Sequence, residues 1–153
     1  KAVYAFVPKM IEFFLNEKPI ISQVKTYVCA FKKDCKFVLD NIEKLVIKPV
    51  NESGGYGILI GPKASKIDIK KYQQKIRNNP RNFVAQPLIK LSTSPTLIGN
   101  KMEPRHLDLR PFILSGKKIF VTSGGLTRVA MKKNSTIVNS SQGGGSKDTW
   151  IIH

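Results

Sequence analysis

An apolar segment runs directly into a glycine-rich loop in the stretch Leu45-Val46-Ile47-Lys48-Pro49-Val50-Asn51-Glu52-Ser53-Gly54-Gly55-Tyr56-Gly57. A continuous apolar run of this length predicts a strand that is buried on both faces. Lys48 is unusual inside such a strand, because its charge needs water or an anion. The loop at residues 53–57 offers unhindered backbone N–H groups that can wrap phosphate oxygens, and Lys48 could neutralise those oxygens. The stretch therefore indicates a strand and loop that bind phosphate.

The same residues allow a plainer interpretation. The glycines could serve only a hairpin turn, while Lys48 extends its charged end to solvent. The stretch is not a Walker-type phosphate loop, because it lacks a Gly-Lys-Ser/Thr ending and no helix follows it. Both interpretations of Lys48 stay open from these residues alone.

Helices and strands are predicted on both sides of this stretch. Amphipathic periodicity predicts helices at residues 3–14, at residues 34–42 and within residues 61–81. In the last of these, Ile69, Tyr72 and Ile76 recur at helical spacing and should face inward, with the lysines on the solvated outer face. Short β-rich runs predict strands at residues 24–30, 45–50, 56–60 and 83–86. Pro8 either begins a second helix in the first of these segments or kinks one continuous helix.

The second half of the chain is rich in β signals. Strands are predicted at residues 106–114, 118–122, 126–131 and 136–138, with turn signals at residues 115–116, 123–125 and 133–134. Residues 88–102 are polar and rich in turn residues, and residues 140–146 form a second glycine-rich loop. This order suggests an antiparallel meander. We therefore predict an α+β fold, with a small mixed α/β lobe and a larger antiparallel sheet.

Three segments follow from this order. Residues 1–22 form a helical lead-in, residues 23–90 a small lobe with the phosphate loop, and residues 91–153 an antiparallel-sheet lobe with a C-terminal glycine-rich loop. The first residues, Lys1-Ala2-Val3-Tyr4, contain no initiator Met and enter the helical pattern without a capping residue. We therefore expect a fragment whose upstream segment is missing.

Charged residues alternate along one predicted strand of the sheet lobe. Asp108 and Arg110 share a face of that strand, and Arg128 on a neighbouring strand could reach the same face. Two arginines and a carboxylate can clamp phosphoryl groups while charge shifts during transfer. The alternative is a cross-strand salt bridge with little effect on stability. The spacing does not decide between these two interpretations.

The composition is strongly basic, with 26 Lys and Arg against 10 Asp and Glu, a net charge of +16 and a pI of about 10.0. This balance favours anionic partners, such as nucleic acid, an acidic membrane surface, nucleotide phosphates or an acidic companion segment. Nucleic acid is disfavoured, because the basic helix carries only Tyr72 for base stacking. No apolar run reaches the roughly 18 residues that a membrane span needs, so no membrane partner is expected.

The cysteines and histidines exclude several chemistries. Cys29 and Cys35 have neither the Cys-x-x-Cys spacing of a redox pair nor that of a zinc site, so we expect two free thiols in a reduced cytoplasm. The histidines, His106 and His153, cannot build a Cys/His metal cluster. A Ser-His-Asp triad is disfavoured, because it would have to run through His106 on a predicted strand.

These motifs resemble a known family. Residues 46–50, 52–57 and 85–87 look like the nucleotide-binding half of an ATP-grasp fold. Residues 104–112, 124–130 and 139–149 resemble the circularly permuted ATP-grasp proteins, which include uncharacterised bacterial proteins and are similar to glutathionylspermidine synthetase. The resemblance covers nearly the whole chain, and residues 139–149 are its most specific part.

The resemblance implies a role for each matched position. Lys48 would contact the phosphates of ATP, and the loop Ser53, Gly54, Gly55, Tyr56 and Gly57 would cover them. Gln86 with the backbone of Pro87 and Leu88 would line an adenine pocket between the two lobes. Asp108, Arg110 and Arg128 would face the phosphate tail and an acyl-phosphate intermediate. The residues implied to face the acceptor substrate are Asn139, Gln142, Gly143, Gly144, Gly145 and Ser146.

The reaction implied is that of an ATP-dependent carboxylate–amine ligase of the peptide-bond type. ATP would activate a carboxylate as an acyl phosphate, Mg²⁺ would bridge the phosphates, and an amine would then attack. The Mg²⁺ ligands of the permuted family lie upstream of residue 1, so we expect no complete metal site here and little or no ligase activity from residues 1–153 alone. The alternative is a non-catalytic nucleotide-binding or scaffolding domain of the same fold.

Overall fold

The computed structural model describes residues 1–140 and 143–150, and these residues form two compact units. The first unit spans Lys1–Ile89 and the second begins at Lys90. Each unit contains one four-stranded antiparallel sheet. Together with the helices of the first unit, they confirm the predicted α+β class.

The sheet of the first unit has the strand order β1-β4-β2-β3. Its strands are β1 (Tyr27–Val28), β2 (Leu45–Pro49), β3 (Leu59–Ile60) and β4 (Phe83–Pro87). Strand β2 is a central strand and is buried along almost its whole length. This burial is what the apolar run around Ile47 predicted.

Three α-helices belong to the first unit: α1 (Val7–Leu15), α2 (Lys32–Asn41) and α3 (Lys66–Asn78). Pro8 lies in the first turn of α1, after a separate 3₁₀ turn at Ala2–Phe6, so it begins a second helix. Helix α3 begins at Ser65, whose side chain caps the backbone N–H of Asp68. Its inward residues are Ile69, Tyr72 and Ile76, as the periodicity predicted.

Two predicted strands of the first unit are shorter than expected. Residues 24–30 form a strand only at Tyr27–Val28. Before it, the backbone N–H of Val24 donates to the Tyr4 hydroxyl, and after it a turn begins, in which the N–H of Phe31 donates to the Val28 carbonyl at 3.0 Å. Residues 56–60 form a strand only at Leu59–Ile60, because Gly57 has a φ of 64° and continues the preceding turn.

The sheet of the second unit has the order β5-β6-β7-β8, a meander as predicted. Its strands are β5 (Thr93–Ile98), β6 (Lys101–Ser115), β7 (Ile119–Ala130) and β8 (Gly144–Lys147). The region 88–102, predicted to be turns, contains β5, which is an edge strand and therefore tolerates Pro95. The tight connection to β6 uses Gly99, with a φ of 58°.

Glycines caused two further errors in the second unit. Residues 123–125 were predicted to be a turn, but β7 runs through them opposite a register shift between Pro111 and Ile113. Gly125 accommodates this irregularity, because a Cβ there would lie 3.2 Å from the carbonyl oxygen of Arg110.

The C-terminal glycine-rich loop of the prediction is in part a strand. Gly144 is the first residue of β8, and its backbone passes close to residue 138. A Cβ at this position would clash with the backbone oxygen of Val138, so the position requires glycine. Residues 136–138, predicted to be a strand, have no strand pairing. Instead Val138 is buried under this close approach. None of the helices described is long and apolar enough to cross a membrane.

Candidate functional site

Lys48 lies in a cleft of about 480 Å³ on one face of the first unit's sheet. The residues that line this cleft are Lys1, Tyr4, Val24, Lys48, Ile58, Val84 and Gln86. The register places Lys48 opposite Val84 and Val46 opposite Gln86, so Lys48 and Gln86 are diagonal neighbours on the same face. Their side chains meet, with Lys48 Nζ donating to Gln86 Oε1 over 2.6 Å.

A short polar chain orients the amide of Gln86. Its Nε2 donates to Thr26 Oγ1 at 2.8 Å, and Thr26 in turn donates to the carbonyl of Val24 at 3.0 Å. The Gln86 oxygen therefore faces Lys48. The sequence prediction placed Lys48 and Gln86 in one nucleotide site, and the structure brings these two side chains together.

The charge of Lys48 has no anionic partner in the described part of the chain. No carboxylate there lies within 4.0 Å of its Nζ, and its hydrogen-bond acceptor is a neutral amide. Burial lowers the pKa of Lys48, and the nearby positive charge of Lys1 lowers it further. A half-buried cation beside a second cation is a site that an anion would stabilise.

Lys1 connects this cleft to the base of the glycine-rich loop. Its Nζ donates to the carbonyl of Pro49 at 2.8 Å and also to the carbonyl of Glu52. Sequence reasoning missed Lys1 and Thr26. No periodicity or motif could have found Lys1, because it lies 48 residues from Pro49 in the sequence.

The glycine-rich loop borders a second cleft, of about 490 Å³. The residues that line it are Pro49, Glu52, Tyr56, Gly57, Tyr72, Lys75, Asn82 and Phe83. Gly54, Gly55 and Gly57 all have positive φ, which favours glycine at each position. The loop closes on itself, because the backbone N–H of Tyr56 donates to the Ser53 carbonyl at 3.1 Å. Ser53 and Tyr56 are exposed, and no residue of the loop lines the Lys48 cleft.

Tyr72 holds the end of this loop against α3. Its hydroxyl donates to the carbonyl of Gly57 at 3.1 Å, while Lys75 lies over its ring. Tyr72, predicted only as an inward-facing helix residue, thus also positions the loop. Pro87 and Leu88 lie where β4 ends, and both are exposed.

The second unit brings its predicted charged residues onto one sheet face. Asp108 on β6 lies directly opposite Arg128 on β7, which lies directly opposite Ser146 on β8. Directly opposite residues share a face, so these side chains form a row across three strands. Arg110 lies two residues along β6 on the same face.

The contacts within this row do not include the cross-strand salt bridge that was the alternative interpretation. Arg110 binds the carboxylate of its own strand, with Nη2 donating to Asp108 Oδ2 at 3.0 Å and Nε lying 3.3 Å from both carboxylate oxygens. Arg128 Nη1 instead donates to Asn139 Oδ1 at 2.9 Å. The row therefore carries one carboxylate against two guanidinium groups, and an anion would balance its excess positive charge.

The glycines near the C-terminus are placed less simply. Gly143 has a φ of 81° and donates from its N–H to the carbonyl of Ser140 at 3.2 Å. The N–H of Gly144 donates to the carbonyl of Asn139 at 3.0 Å, and Gly145 pairs opposite Val129 in the sheet. Two of these amides are thus used inside the turn. Gln142, predicted to face the acceptor substrate, lies outside the described residues.

Among the described residues, no group of three or more His, Cys, Asp or Glu side chains could hold a metal ion. Both cysteines are free thiols, with Cys29 buried and Cys35 half-buried. In chemical terms, the described chain offers one cationic cleft in the first unit and one arginine-rich sheet face in the second.

Comparison with known proteins identifies the family of this chain. The family described as circularly permuted ATP-grasp type 2 matches residues 1–130. The chain belongs to the circularly permuted ATP-grasp type 2 family, and its α+β architecture is the ATP-grasp-like fold predicted from the sequence.

Relatives of the chain are longer proteins. It is 54% identical over 153 residues to an uncharacterised protein of Synechocystis sp., matching 99% of this chain and 32% of that protein. It is 52% identical over 153 residues to an uncharacterised protein of Mycobacterium tuberculosis, matching 99% of this chain and 28% of that one.

A third relative carries a functional name. This protein of Frankia casuarinae, named "Putative glutamate--cysteine ligase 2-2", is 47% identical over 151 residues, matching 99% of this chain and 17% of the relative. The chain therefore spans about a third or less of the length of each of these relatives.

Proposed function

We propose that this chain supplies the ATP site of an ATP-dependent carboxylate–amine ligase that works through an acyl phosphate. The observation that carries the proposal is the half-buried Lys48, which donates to a neutral amide and lies beside Lys1 with no carboxylate partner in the described residues. Membership of the ATP-grasp family supports a nucleotide as the missing anion. The Frankia relative's name supports a ligase, although the chain matches only 17% of that protein.

The residues of the Lys48 cleft fit a polyphosphate. Lys48 would neutralise phosphate oxygens, with Lys1 as a second cation at the same cleft. Gln86, Pro87 and Leu88 would bind the adenine. The loop at residues 53–57 borders a separate cleft, so it would cover the phosphates by closing over the Lys48 cleft. The family resemblance is the basis for the metal: Mg²⁺ would be held by ligands in a segment upstream of residue 1 of a longer polypeptide.

The arginine-rich face of the second unit would serve the later part of the reaction. A carboxylate oxygen would attack the γ-phosphorus of ATP and ADP would leave. An amine nitrogen would then attack the acyl carbon, phosphate would leave, and the amine would lose a proton to solvent. Arg110 and Arg128 would stabilise the negative charge of the phosphoryl group, and Asp108 would hold Arg110 in place. Asn139, Gln142 and residues 143–146 would lie towards the acceptor. We expect this chemistry in the cytoplasm, where ATP is available.

The direct test is Mg-ATP binding to the full-length protein by calorimetry, with Lys48→Met compared against Lys44→Met. Lys44 is exposed and immediately precedes β2, so it is a matched control outside the cleft. Loss of Lys48 should weaken binding by about 1–3 kcal/mol, as expected for a charge-assisted contact. Equal affinities for the two variants would contradict the proposal.

A second assay separates the ligase from a non-catalytic nucleotide-binding domain. ADP release by the full-length protein should require both a carboxylate and an amine, and Arg128→Lys should slow release while ATP binding is retained. ATP binding without ADP release under any acceptor would favour the non-catalytic alternative. Binding that collapses steeply as salt rises, with nucleic acid preferred to ATP, would favour a nucleic-acid binder.

A further inference from the structure

The hairpin of β6 and β7 extends beyond the strands that flank it. Strand β5 pairs with β6 only at Lys101–His106, and β8 pairs with β7 only at Thr127–Ala130. The remaining part, residues 107–126, is a two-stranded ribbon with no further strand of the described chain paired to either edge. Isolated two-stranded ribbons are at best marginally stable in water.

The far end of this ribbon, residues 112–121, is apolar on both faces, and we name it the apolar ribbon. Leu114 pairs with Phe120 on one face, and Ile113 pairs with Val121 on the other. Its six large apolar side chains are 54–74% exposed: Phe112, Ile113, Leu114, Ile119, Phe120 and Val121. An exposed apolar surface of this kind usually marks an interaction site. Because both faces are apolar, the ribbon fits a cleft better than a flat surface.

The charges around the apolar ribbon define what can cover it. Lys117 and Lys118 lie at its turn and Arg110 near its base, whereas the sequence contains no Asp or Glu from residue 109 to residue 147. Two copies packed through this ribbon would bring like charges together without compensation, which disfavours a second copy. The charge pattern favours an apolar cleft with an acidic rim.

We propose that the apolar ribbon inserts into such a cleft in the part of the same polypeptide that lies outside residues 1–153. In three relatives, the region that matches this chain makes up 32%, 28% and 17% of the protein. The remainder of each relative is long enough to form such a cleft. The proposal rests on the proposed function only in assuming a longer polypeptide, and it requires neither ATP nor ligase activity.

The test is photo-crosslinking in the full-length protein, without nucleotide. A p-benzoylphenylalanine at position 120 replaces one aromatic side chain by another, and a control carries it at the exposed Lys70 on α3. Equal amounts of unlabelled and ¹⁵N-labelled protein are mixed before irradiation, so that links within one chain and between chains differ in mass. We expect position 120 to link to peptides outside residues 1–153 of the same chain, and position 70 to give far less of this product.

Every other outcome overturns the proposal. Crosslinks between a labelled and an unlabelled chain would show that a second copy covers the ribbon. Crosslinks to lipid, when anionic vesicles are added before irradiation, would show that the ribbon binds a membrane. Links confined to residues 1–153, or no link, would show that the remainder of the polypeptide does not cover it. Reversing the charge with Lys117→Glu and Lys118→Glu should lower the yield of the crosslink from position 120 by a factor of about 10 if the rim of the cleft is acidic. An unchanged yield would show that the rim is not acidic. Loss of ATP binding would leave these results unchanged, which separates this proposal from the proposed function.

Discussion

The two sheets of this chain have the same number of strands and the same antiparallel pairing, but they are stabilised differently. The first sheet shares a continuous apolar core with α2 and α3, which includes Val38, Ile47 and Ile76, all fully buried. In the described part of the second unit, the buried residues are few: Thr96, Arg105, Val129, Ala130 and Val138.

Polar side chains replace apolar packing in the second sheet. Arg105 is buried and donates to the carbonyls of Met131 and Pro104, both at 3.0 Å, and it pairs with Glu103 at 2.9 Å. Lys147 on one edge strand reaches Ser94 and Thr96 on the other. The first unit thus contains its own core, whereas in the second unit the side chains of the apolar ribbon are exposed.

The largest change in stability is expected from a cavity in the core of the first unit. Replacing Ile76 by Ala should lower the free energy of unfolding by about 2–5 kcal/mol, because Ile76 is fully buried. Ile67→Ala on the same helix is the control; Ile67 is 79% exposed and should change stability by less than about 0.5 kcal/mol. Hydrogen exchange of β2 peptides in urea would measure the change in unfolding free energy for both variants. Equal changes for Ile76→Ala and Ile67→Ala would contradict the assigned core.

Close backbone approach provides the next test. A Cβ at Gly61 would lie 2.0 Å from the backbone oxygen of Ile42, so Gly61→Ala should destabilise the first unit by about 1–3 kcal/mol. In the second unit, a Cβ at Gly124 would meet no atom of the described residues within 4 Å, and Gly124→Ala should be nearly neutral. Thermal unfolding of the two variants compares them directly; a neutral Gly61→Ala would be inconsistent with the packing of this turn.

The polar interior of the second sheet gives a smaller effect. Arg105→Ala removes the donors to Met131 and Pro104, and it should cost about 1–2 kcal/mol. Lys101→Ala on the same strand is exposed and should leave stability unchanged. Hydrogen-exchange rates of peptides from β6 and β7 measure the stability of this sheet. If these peptides were as protected in Arg105→Ala as in Lys101→Ala, the polar contacts of Arg105 would not stabilise the sheet.

The cysteines give the smallest effect and probe the first core alone. Burial raises the pKa of Cys29 from 9.0 to about 12, with smaller contributions from the charges of Cys35 and Asp34. Because the folded state disfavours the thiolate, this contribution to stability is fully present below pH 9.0 and is lost as pH rises towards about 12. At pH 8, iodoacetamide should modify Cys35 and spare Cys29 until the protein unfolds. Mass spectrometry measures the extent of modification at each cysteine, and the Cys35→Ser variant is the control in which only Cys29 can react. Rapid modification of Cys29 in the folded protein would contradict its burial.

Sequence reasoning succeeded where one periodicity dominated. The buried strand around Ile47, the inward face of α3 and the shared face of Asp108, Arg110 and Arg128 all follow from local patterns that tertiary contacts reinforced. The Lys48–Gln86 contact could be anticipated only through the family resemblance, because strand register is set by contacts distant in sequence.

Several of the errors share one physical origin, which is that glycine has more than one structural use. Glycines at positions 124, 125, 144 and 145 suggested turns, but the structure uses them inside strands, opposite an irregular register or under a closely approaching backbone. The sequence shows where glycine lacks a side chain. It does not show whether the chain turns at that glycine or whether another segment passes close to it. Lys1 and Thr26 were missed for a related reason, since their partners lie far away in sequence.

The irregular register between Pro111 and Ile113 has a mechanical consequence. It separates one continuous hairpin into a charged half, which carries Asp108, Arg110 and Arg128, and an apolar half at the far end. A β-bulge bends its strand and increases the local twist, so the direction in which the apolar half leaves the sheet depends on this register shift. If another segment covers the apolar half, the shift is the point at which the hairpin would adjust to it, beyond the row of charged side chains.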